Sequence, residues 1–215
     1  MTELAPYVGI LLKGELVSLR LAALSLLFAS LIGVVIGMVA TSRFPLARAF
    51  ATLYVEAIRS VPLLVQLFFV YYALPLLANL SPSPYQAATL SLSVYGGAYM
   101  AEAVRSGILS VGTDQWMAAR SLGIRYRATM LYIVAPQALR VTIPAAVGIF
   151  IDMLKGASVT SIIGYVELMQ TAVNIRNTIY ALSPLLAAAV LYFVMCFSFS
   201  KMGAGIERLL RYETR

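Results

Sequence analysis

Three pairs of opposite charges lie inside long apolar stretches of this 215-residue sequence, and in each pair the acid comes three positions before the base. The pairs are Glu56 and Arg59, Glu102 and Arg105, and Asp152 and Lys155. Two residues at this spacing share one face of a helix and can form an ion pair. We interpret the first two pairs as structural braces near helix ends. The third stands next to the polar sequence KGAS and can either pair locally or contact a zwitterionic solute.

The sequence offers few other side chains for chemistry. It contains no histidine, which excludes imidazole catalysis and the common zinc sites, and its single cysteine, Cys196, lies in an apolar run. Ser158 lies near Lys155, so Ser–Lys nucleophilic chemistry is a formal alternative. Tyrosines can contact a solute, although they also anchor helices at the membrane interface. We therefore predict neither a catalytic residue nor a metal site. The candidates for lining a solute path are Asp152, Lys155, Ser158, Tyr95 and Tyr99.

The composition indicates a membrane protein. Hydrophobic residues make up 61% of the chain and charged residues 12%, and the mean hydropathy is +0.87. Soluble domains carry about 25% charged residues. The net charge of +7 would suit nucleic acid, but the basic residues lie between apolar runs, where they orient a membrane protein. We therefore expect a single all-α unit whose surroundings are the lipid bilayer, with no nucleic acid partner.

A helix needs about 20 mostly apolar residues to cross a bilayer. Five stretches meet this requirement, at about residues 16–40, 54–78, 85–105, 131–154 and 181–201. Pro62 and Pro75 are expected to bend the second stretch. Residues 1–15 are then expected to form an external segment and residues 206–215 a cytoplasmic tail.

The segment 156–180 is too polar for a sixth span. Its apolar residues recur at helical spacing, at Ile162, Ile163, Val166, Met169 and Val173. We expect an amphipathic helix or a re-entrant piece on the outer side of the membrane.

The distribution of basic residues predicts the orientation of the chain. Most of the 16 Lys and Arg residues lie in or beside the loops after the first and third stretches, or in the tail. Because cytoplasmic loops are enriched in Lys and Arg, the amino terminus is expected outside and the carboxy terminus in the cytoplasm. An odd number of spans agrees with this assignment. No internal repeat is evident, which disfavours a secondary carrier.

A short helix is predicted within the basic loop that follows the third stretch, at 113-TDQWMAARSLG-123. Thr113 suits the N-cap, and Asp114 in the first turn complements the helix dipole. Gly123 suits the left-handed residue that ends a helix. Paired alanines permit close approach of another backbone, while Trp116 and Met117 offer apolar contact. The segment therefore resembles a docking surface for a second protein, with a helix resting on lipid headgroups as the alternative.

The longer stretch GTDQWMAARSLGIRYRATMLYIVAPQALRVTIPA resembles the EAA loop found in permease subunits of ATP-binding cassette importers. Ala118, Ala119 and Gly123 match the core of that motif, and Ile133 with Pro136 matches its end. The stretches 54–72, 97–108 and 136–144 and the region of Lys155 are similar to the polar amino-acid branch, which takes up histidine, glutamine, arginine and opines. The resemblance covers about residues 15–210.

This resemblance implies the five-span type-1 importer permease fold over residues 16–205, in the inner membrane of a bacterium. It also implies a second permease subunit, identical or homologous, two cytosolic ATPase subunits and an external substrate-binding protein. The segment 113–123 would be the coupling helix that lies in a groove of the ATPase. Its ATPase-coupling residues would be Asp114, Gln115, Trp116, Met117, Ala118, Ala119, Arg120 and Gly123.

The chain lacks the phosphate-binding sequence G-x-x-x-x-G-K-[S/T], so ATP and Mg²⁺ are expected on the ATPase and no cofactor on this chain. The sequence departs from the family pattern in two places. Met117 replaces the glutamate of the motif, and Gly156 with Ala157 replaces an Asp–Thr pair. A stand-alone carrier or channel for small polar solutes is the alternative function.

Overall fold

The computed structural model describes residues 2–210, and that part of the chain consists of helices joined by turns, with no strand. The α-helices are α1 (Val8–Ala40), α2 (Pro45–Ser60), α3 (Leu63–Phe68), α4 (Leu74–Ala78), α5 (Pro84–Leu109), α6 (Thr113–Ser121), α7 (Tyr126–Thr129), α8 (Ala135–Ala157), α9 (Leu168–Ile179) and α10 (Ser183–Leu210). The shorter helical pieces are 3₁₀ turns at Thr2–Tyr7 and Ser158–Ile163 and π turns at Phe69–Ala73 and Met130–Val134.

Small residues allow α1 and α5 to pack side by side at the centre of the bundle. A methyl group built on Gly97 would lie 2.8 Å from Ile32 Cγ2, and one built on Gly37 would lie 2.7 Å from Val104 Cβ. Neither position has room for a side chain, which is the usual basis of close packing between membrane helices. Because residue 32 faces residue 97 and residue 37 faces residue 104, the two helices run parallel.

The next two long helices alternate in direction. A methyl group on Gly96 would lie 2.7 Å from Met153 Sδ, while Gly107 faces residues 138 and 142, so α8 runs antiparallel to α5. Phe150 of α8 meets Phe199 of α10, with ring centroids 4.9 Å apart, and Gly203 faces Val147, so α10 runs antiparallel to α8. The bundle therefore has two distinct ends. We name them the α6 end, which also holds the turn at 41–44, and the α9 end, which also holds the start of α1.

By length and composition, three described helical segments can cross a membrane: Leu4–Ala40, Tyr126–Ile163 and Ser183–Leu210. A fourth crossing results if Pro45–Ser60 and Leu63–Ala78 count as one bent span. α5 contains the third predicted span but is rich in Ser, Gly, Ala and Tyr and is less apolar. The five-span arrangement and the absolute orientation therefore remain predictions.

The helix ends differ from the predicted boundaries at both termini. α1 begins at Val8 instead of near residue 16, so much of the predicted external segment 1–15 is helical. α10 continues to Leu210, so the first half of the predicted tail extends that helix. Residues 211–215 of that tail lie outside the described residues. At both termini the helix extends beyond the apolar stretch and includes polar or charged residues.

The second predicted span, 54–78, is not one continuous helix. α2 ends at Ser60, Val61 is extended, and the direction of the chain changes by 101° before α3. Pro62 causes this break because it has no N–H group and disfavours a helical conformation in the preceding residue. Pro75 lies in the first turn of α4, after the π turn, and produces no comparable break.

The segment 156–180 contains a short helix, as predicted, but its buried face is different. Ile162 and Val166 are exposed, whereas α9 buries Leu168, Ala172 and Ile175 against α1 and α10. The predicted periodicity ran through Gly164, which has a φ of +80° and ends the preceding 3₁₀ turn. Residues on either side of it therefore do not share one helix face.

Candidate functional site

Helix α6 is a compact two-turn helix with a well-defined carboxy-terminal end. Gly123 has a φ of +70°, its N–H donates to the Arg120 carbonyl at 2.9 Å, and the Ile124 N–H donates to the Ala119 carbonyl at 3.0 Å. These two bonds form the Schellman arrangement, so the predicted role of Gly123 is confirmed. The predicted N-cap is wrong, because Gly112 precedes the first turn and Thr113 is its first residue. No side chain caps this end of the helix, so α6 depends on other contacts.

One side of α6 is held by the chain itself. Trp116 stacks on Tyr126, with ring centroids 5.7 Å apart and an interplanar angle of 22°. The Arg43 guanidinium lies over the same tyrosine ring, 5.2 Å from its centroid. Ala119 is only 2% exposed. Trp116 and Ala119, both predicted to contact a partner, therefore attach α6 to the ends of neighbouring helices.

The side chains on the opposite side of α6 are not buried by any of the described residues. Met117 is 56% exposed, and Gln115, Ala118, Arg120 and Leu122 are exposed as well. Asp114 is exposed in the first turn, where a negative charge stabilises the helix. The exposed members of the predicted docking surface therefore lie on this outer face, whereas Ala119 is buried and Trp116 is partly buried.

Two of the three predicted ion pairs form. Arg105 binds Glu102 through two nitrogen–oxygen contacts of 2.6 and 2.9 Å. Lys155 Nζ lies 3.3 Å from Asp152 Oδ1, with both side chains largely exposed. Ser158 donates its hydroxyl hydrogen bond to the Lys155 backbone carbonyl at 2.6 Å. The lysine amine is therefore engaged by a carboxylate and the serine by a carbonyl, an arrangement that does not activate a nucleophile.

The predicted pair between Glu56 and Arg59 is wrong. Among residues 2–210 these two side chains do not meet within ion-pair distance. The Arg59 guanidinium instead lies over the Tyr99 ring, 5.1 Å from the centroid. An aromatic face attracts a guanidinium electrostatically. The partner of Arg59 therefore comes from α5, whereas the spacing of residues on α2 had predicted Glu56.

The charged residues of α2 and α5 nevertheless share one cavity. It measures about 400 Å³ and lies between the two helices, toward the α6 end. Three arginines and two glutamates line it, namely Arg48, Arg59, Arg105, Glu56 and Glu102. Charged walls of this kind lower the desolvation cost of a polar or doubly charged solute in the cavity.

The other candidate residues extend from this cavity, where Arg59 contacts Tyr99, toward the α9 end of the bundle. Tyr95 and Tyr99 are one helical turn apart, with ring centroids separated by 4.8 Å. Gly96, the neighbour of Tyr95 in sequence, faces Met153, the neighbour of Asp152, so these segments of α5 and α8 are adjacent. The tyrosines of α5 and the ion pair of α8 therefore lie on neighbouring segments of the two helices, while Ser158 lies beyond them at the end of α8.

Sequence reasoning missed a buried carboxylate at the α9 end. Glu167 is fully buried and accepts hydrogen bonds from Ser18 Oγ at 3.0 Å, Tyr192 Oη at 2.6 Å and the Gln170 N–H at 2.9 Å. It joins α1, α9 and α10. The available signal was its position directly before a helical pattern, where an acidic side chain caps the helix.

The fold and these features define a class: a helical membrane protein with charged residues inside its bundle and a short exposed helix on one end. The family model of the binding-protein-dependent transport system inner membrane component matches residues 29–212. The chain therefore belongs to this family.

Similar proteins agree with this assignment. The L-cystine transport system permease protein TcyB of Bacillus subtilis is 35% identical over 96% of this chain and 89% of its own length. The probable glutamine ABC transporter permease protein GlnP of the same organism is 33% identical over 94% of each chain. A crystal structure of an amino acid ABC transporter with histidines contains a chain with a TM-score of 0.89 and 33% identity, covering 95% of this chain and 96% of that chain.

Proposed function

We propose that this chain is the membrane-spanning permease subunit of an ATP-driven importer for polar amino acids or related amphoteric compounds. It would cross the membrane five times, with its amino terminus outside and its carboxy terminus in the cytoplasm. ATP hydrolysis would be carried out by a separate ATPase subunit that binds ATP and Mg²⁺. The permease would convert the closure of that ATPase into movement of its helices.

The observation that carries this proposal is the geometry of α6. The helix is fixed to the bundle by Trp116 and Ala119 on one side, while Met117, Ala118 and Leu122 are exposed on the other. A short helix held in this way moves as a rigid unit with the spans beside it. An exposed face of small and apolar side chains is suited to a groove in a partner protein.

The surrounding charges support the proposed orientation and partners. Arg43 of the turn at 41–44 and Arg48 of α2 lie at the α6 end. The arginines of α6 and of the segment after it lie there too, together with the carboxy-terminal part of α10. The positive-inside rule assigns that end to the cytoplasm of a bacterial inner membrane. Two ATPase subunits would bind there, a substrate-binding protein would bind at the α9 end, and a second permease subunit would complete the pathway.

The solute class is supported by the chemistry inside the bundle. A zwitterion needs both a negative and a positive partner, and Asp152 with Lys155 offers one of each at an exposed position. Tyr95 and Tyr99 offer aromatic faces beside them. The named relatives TcyB and GlnP are described as permeases for cystine and glutamine.

The test is reconstitution of this chain into liposomes with and without its ATPase and binding protein. Uptake of labelled polar amino acids that requires ATP and all the proteins supports the proposal. Uptake by the purified chain alone, driven by a solute or ion gradient, contradicts it and supports a stand-alone carrier.

A further inference from the structure

We propose that Gln66 is a positioning residue that holds the angle of the broken second span, and that the break acts as a hinge during transport. We call residues 58–66 the elbow. The inference rests on the proposed function only where uptake is measured. The geometry of the elbow can be measured without any assumption about function.

Gln66 replaces a hydrogen bond that the break removes. In an unbroken helix the Ile58 carbonyl would accept from the N–H group four residues later, but that residue is Pro62, which has none. Gln66 Nε2 donates to the Ile58 carbonyl at 2.8 Å and to the Val61 carbonyl at 2.8 Å. A side chain of α3 therefore satisfies the carbonyl groups at the end of α2 and ties the two arms of the elbow together.

The oxygen of the same amide group could stabilise a second elbow angle. Gln66 Oε1 and Ser91 Oγ are both buried, and neither has a hydrogen-bond partner among the described residues. Both residues line a cavity of about 450 Å³ whose other walls are apolar. If the elbow closes toward α5, the cavity shrinks and the Ser91 hydroxyl can donate to Gln66 Oε1. The structure thus holds an unpaired acceptor and an unpaired donor in the walls of one cavity, and a closed elbow would let them pair.

The two arms of the elbow reach the two parts of the proposed machinery. α2 follows Arg43, which packs on Tyr126, and Tyr126 in turn stacks on Trp116 of α6. On the other arm, Leu63 packs beside Gly156 at the end of α8, near the Asp152–Lys155 pair. A change of the elbow angle would therefore connect motion of α6 with motion of the solute path.

The first experiment measures the elbow directly. Spin labels are placed at Leu53→Cys on α2 and Leu76→Cys on α4, both exposed at 62% and 86%, in a Cys196→Ala background. Distances are recorded by pulsed electron resonance on the assembled transporter in lipid nanodiscs, with labelled permease diluted by unlabelled copies. Gln66→Leu is expected to shift or broaden the distance distribution by several ångströms. An unchanged narrow distribution would overturn the proposal.

The matched control is Gln137→Leu. Gln137 Nε2 also donates to a backbone carbonyl, that of Ile133 at 2.7 Å, but within its own helical segment. This variant should leave the elbow distance unchanged. If Gln66→Leu does not fold, Gln66→Met keeps the side-chain length without the amide donor and is measured in its place.

The second experiment tests whether the elbow moves. A Gln66→Cys, Ser91→Cys double variant is oxidised in the resting state and after trapping with ATP and vanadate. The cross-linked fraction should differ between the two states, and uptake per ATP hydrolysed by Gln66→Leu should fall about tenfold, whereas ATPase activity is retained. Equal cross-linking in both states together with normal coupling in Gln66→Leu would contradict the hinge. A failure to bind any ATPase would contradict the proposed function, while label distances recorded on the permease without ATPase in the same nanodiscs would still decide the role of Gln66.

Discussion

At the scale of single residues, Glu167 joins three helices through one carboxylate group. Its oxygens accept from two hydroxyl groups and one backbone N–H in a fully buried position. No ion pair among residues 2–210 includes it, so hydroxyl and amide donors are the groups that satisfy its oxygens. The carboxylate therefore holds the short helix α9 against the ends of α1 and α10.

Replacing Glu167 by alanine is expected to destabilise the protein strongly. Each buried donor left without an acceptor costs about 1–3 kcal/mol, and the Tyr192 hydroxyl and the Gln170 N–H lose their acceptor, whereas the Ser18 hydroxyl keeps the Gly14 carbonyl at 3.3 Å. The control, Tyr192→Phe, removes one hydrogen bond without leaving a donor unpaired and should cost about 1 kcal/mol. Thermal unfolding in detergent measures both. A Glu167→Ala protein as stable as Tyr192→Phe would show that the cluster has no structural role.

In contrast to Glu167, the exposed pair of Asp152 and Lys155 is expected to affect transport and to have little effect on stability. An exposed ion pair contributes about 0–1 kcal/mol to stability, so Asp152→Asn is expected to leave the melting temperature almost unchanged. If the carboxylate contacts the amino group of a zwitterionic solute, uptake should fall about tenfold or more. Initial uptake rates in reconstituted liposomes measure this effect, and unaltered uptake would remove Asp152 from the solute path.

At the scale of elements, α6 presents two neighbouring alanines to different surroundings. Ala118 is exposed, while Ala119 is 2% exposed and packs against the chain itself. Substitutions at the two positions can therefore distinguish an effect on partner binding, at Ala118, from an effect on packing within the permease, at Ala119.

We expect Ala118→Trp to retain normal thermal stability but to weaken binding of the ATPase and to reduce ATP-driven uptake. Ala119→Trp should lower stability instead, because overpacking a filled site costs about 1–3 kcal/mol. Co-purification of the ATPase and thermal unfolding are measured on both variants. Full ATPase binding and uptake with tryptophan at position 118 would contradict the assignment of the outer face as a docking surface.

At the scale of the whole molecule, the bundle separates a basic α6 end from an α9 end. Met117 and Tyr180 are exposed representatives of the two ends. In a Cys196→Ala background, Met117→Cys should react with a membrane-impermeant maleimide only in inside-out vesicles. Tyr180→Cys should react only in right-side-out vesicles, since the basic end is assigned to the cytoplasm. The reverse pattern would invert the proposed topology and exclude ATPase binding through α6.

The sequence alone indicated an all-helical membrane protein, the short helix in the basic loop and the glycine that ends it. Each follows from local properties, namely apolar composition and length and a backbone conformation that glycine favours. Spacing along one helix also predicted the pairs Glu102–Arg105 and Asp152–Lys155, whose partners lie on the same helix.

Only the tertiary structure decided which partners meet across helices. It turned Arg59 toward Tyr99, directed Trp116 and Ala119 inward, buried Glu167 between hydroxyl groups from two other helices, and placed Gln66 across the elbow. These contacts depend on the rotation of each helix and on the 101° break, quantities that the pattern of a single segment does not contain. The physical reason is that periodicity identifies a face, whereas the packing of neighbouring helices determines what that face contacts.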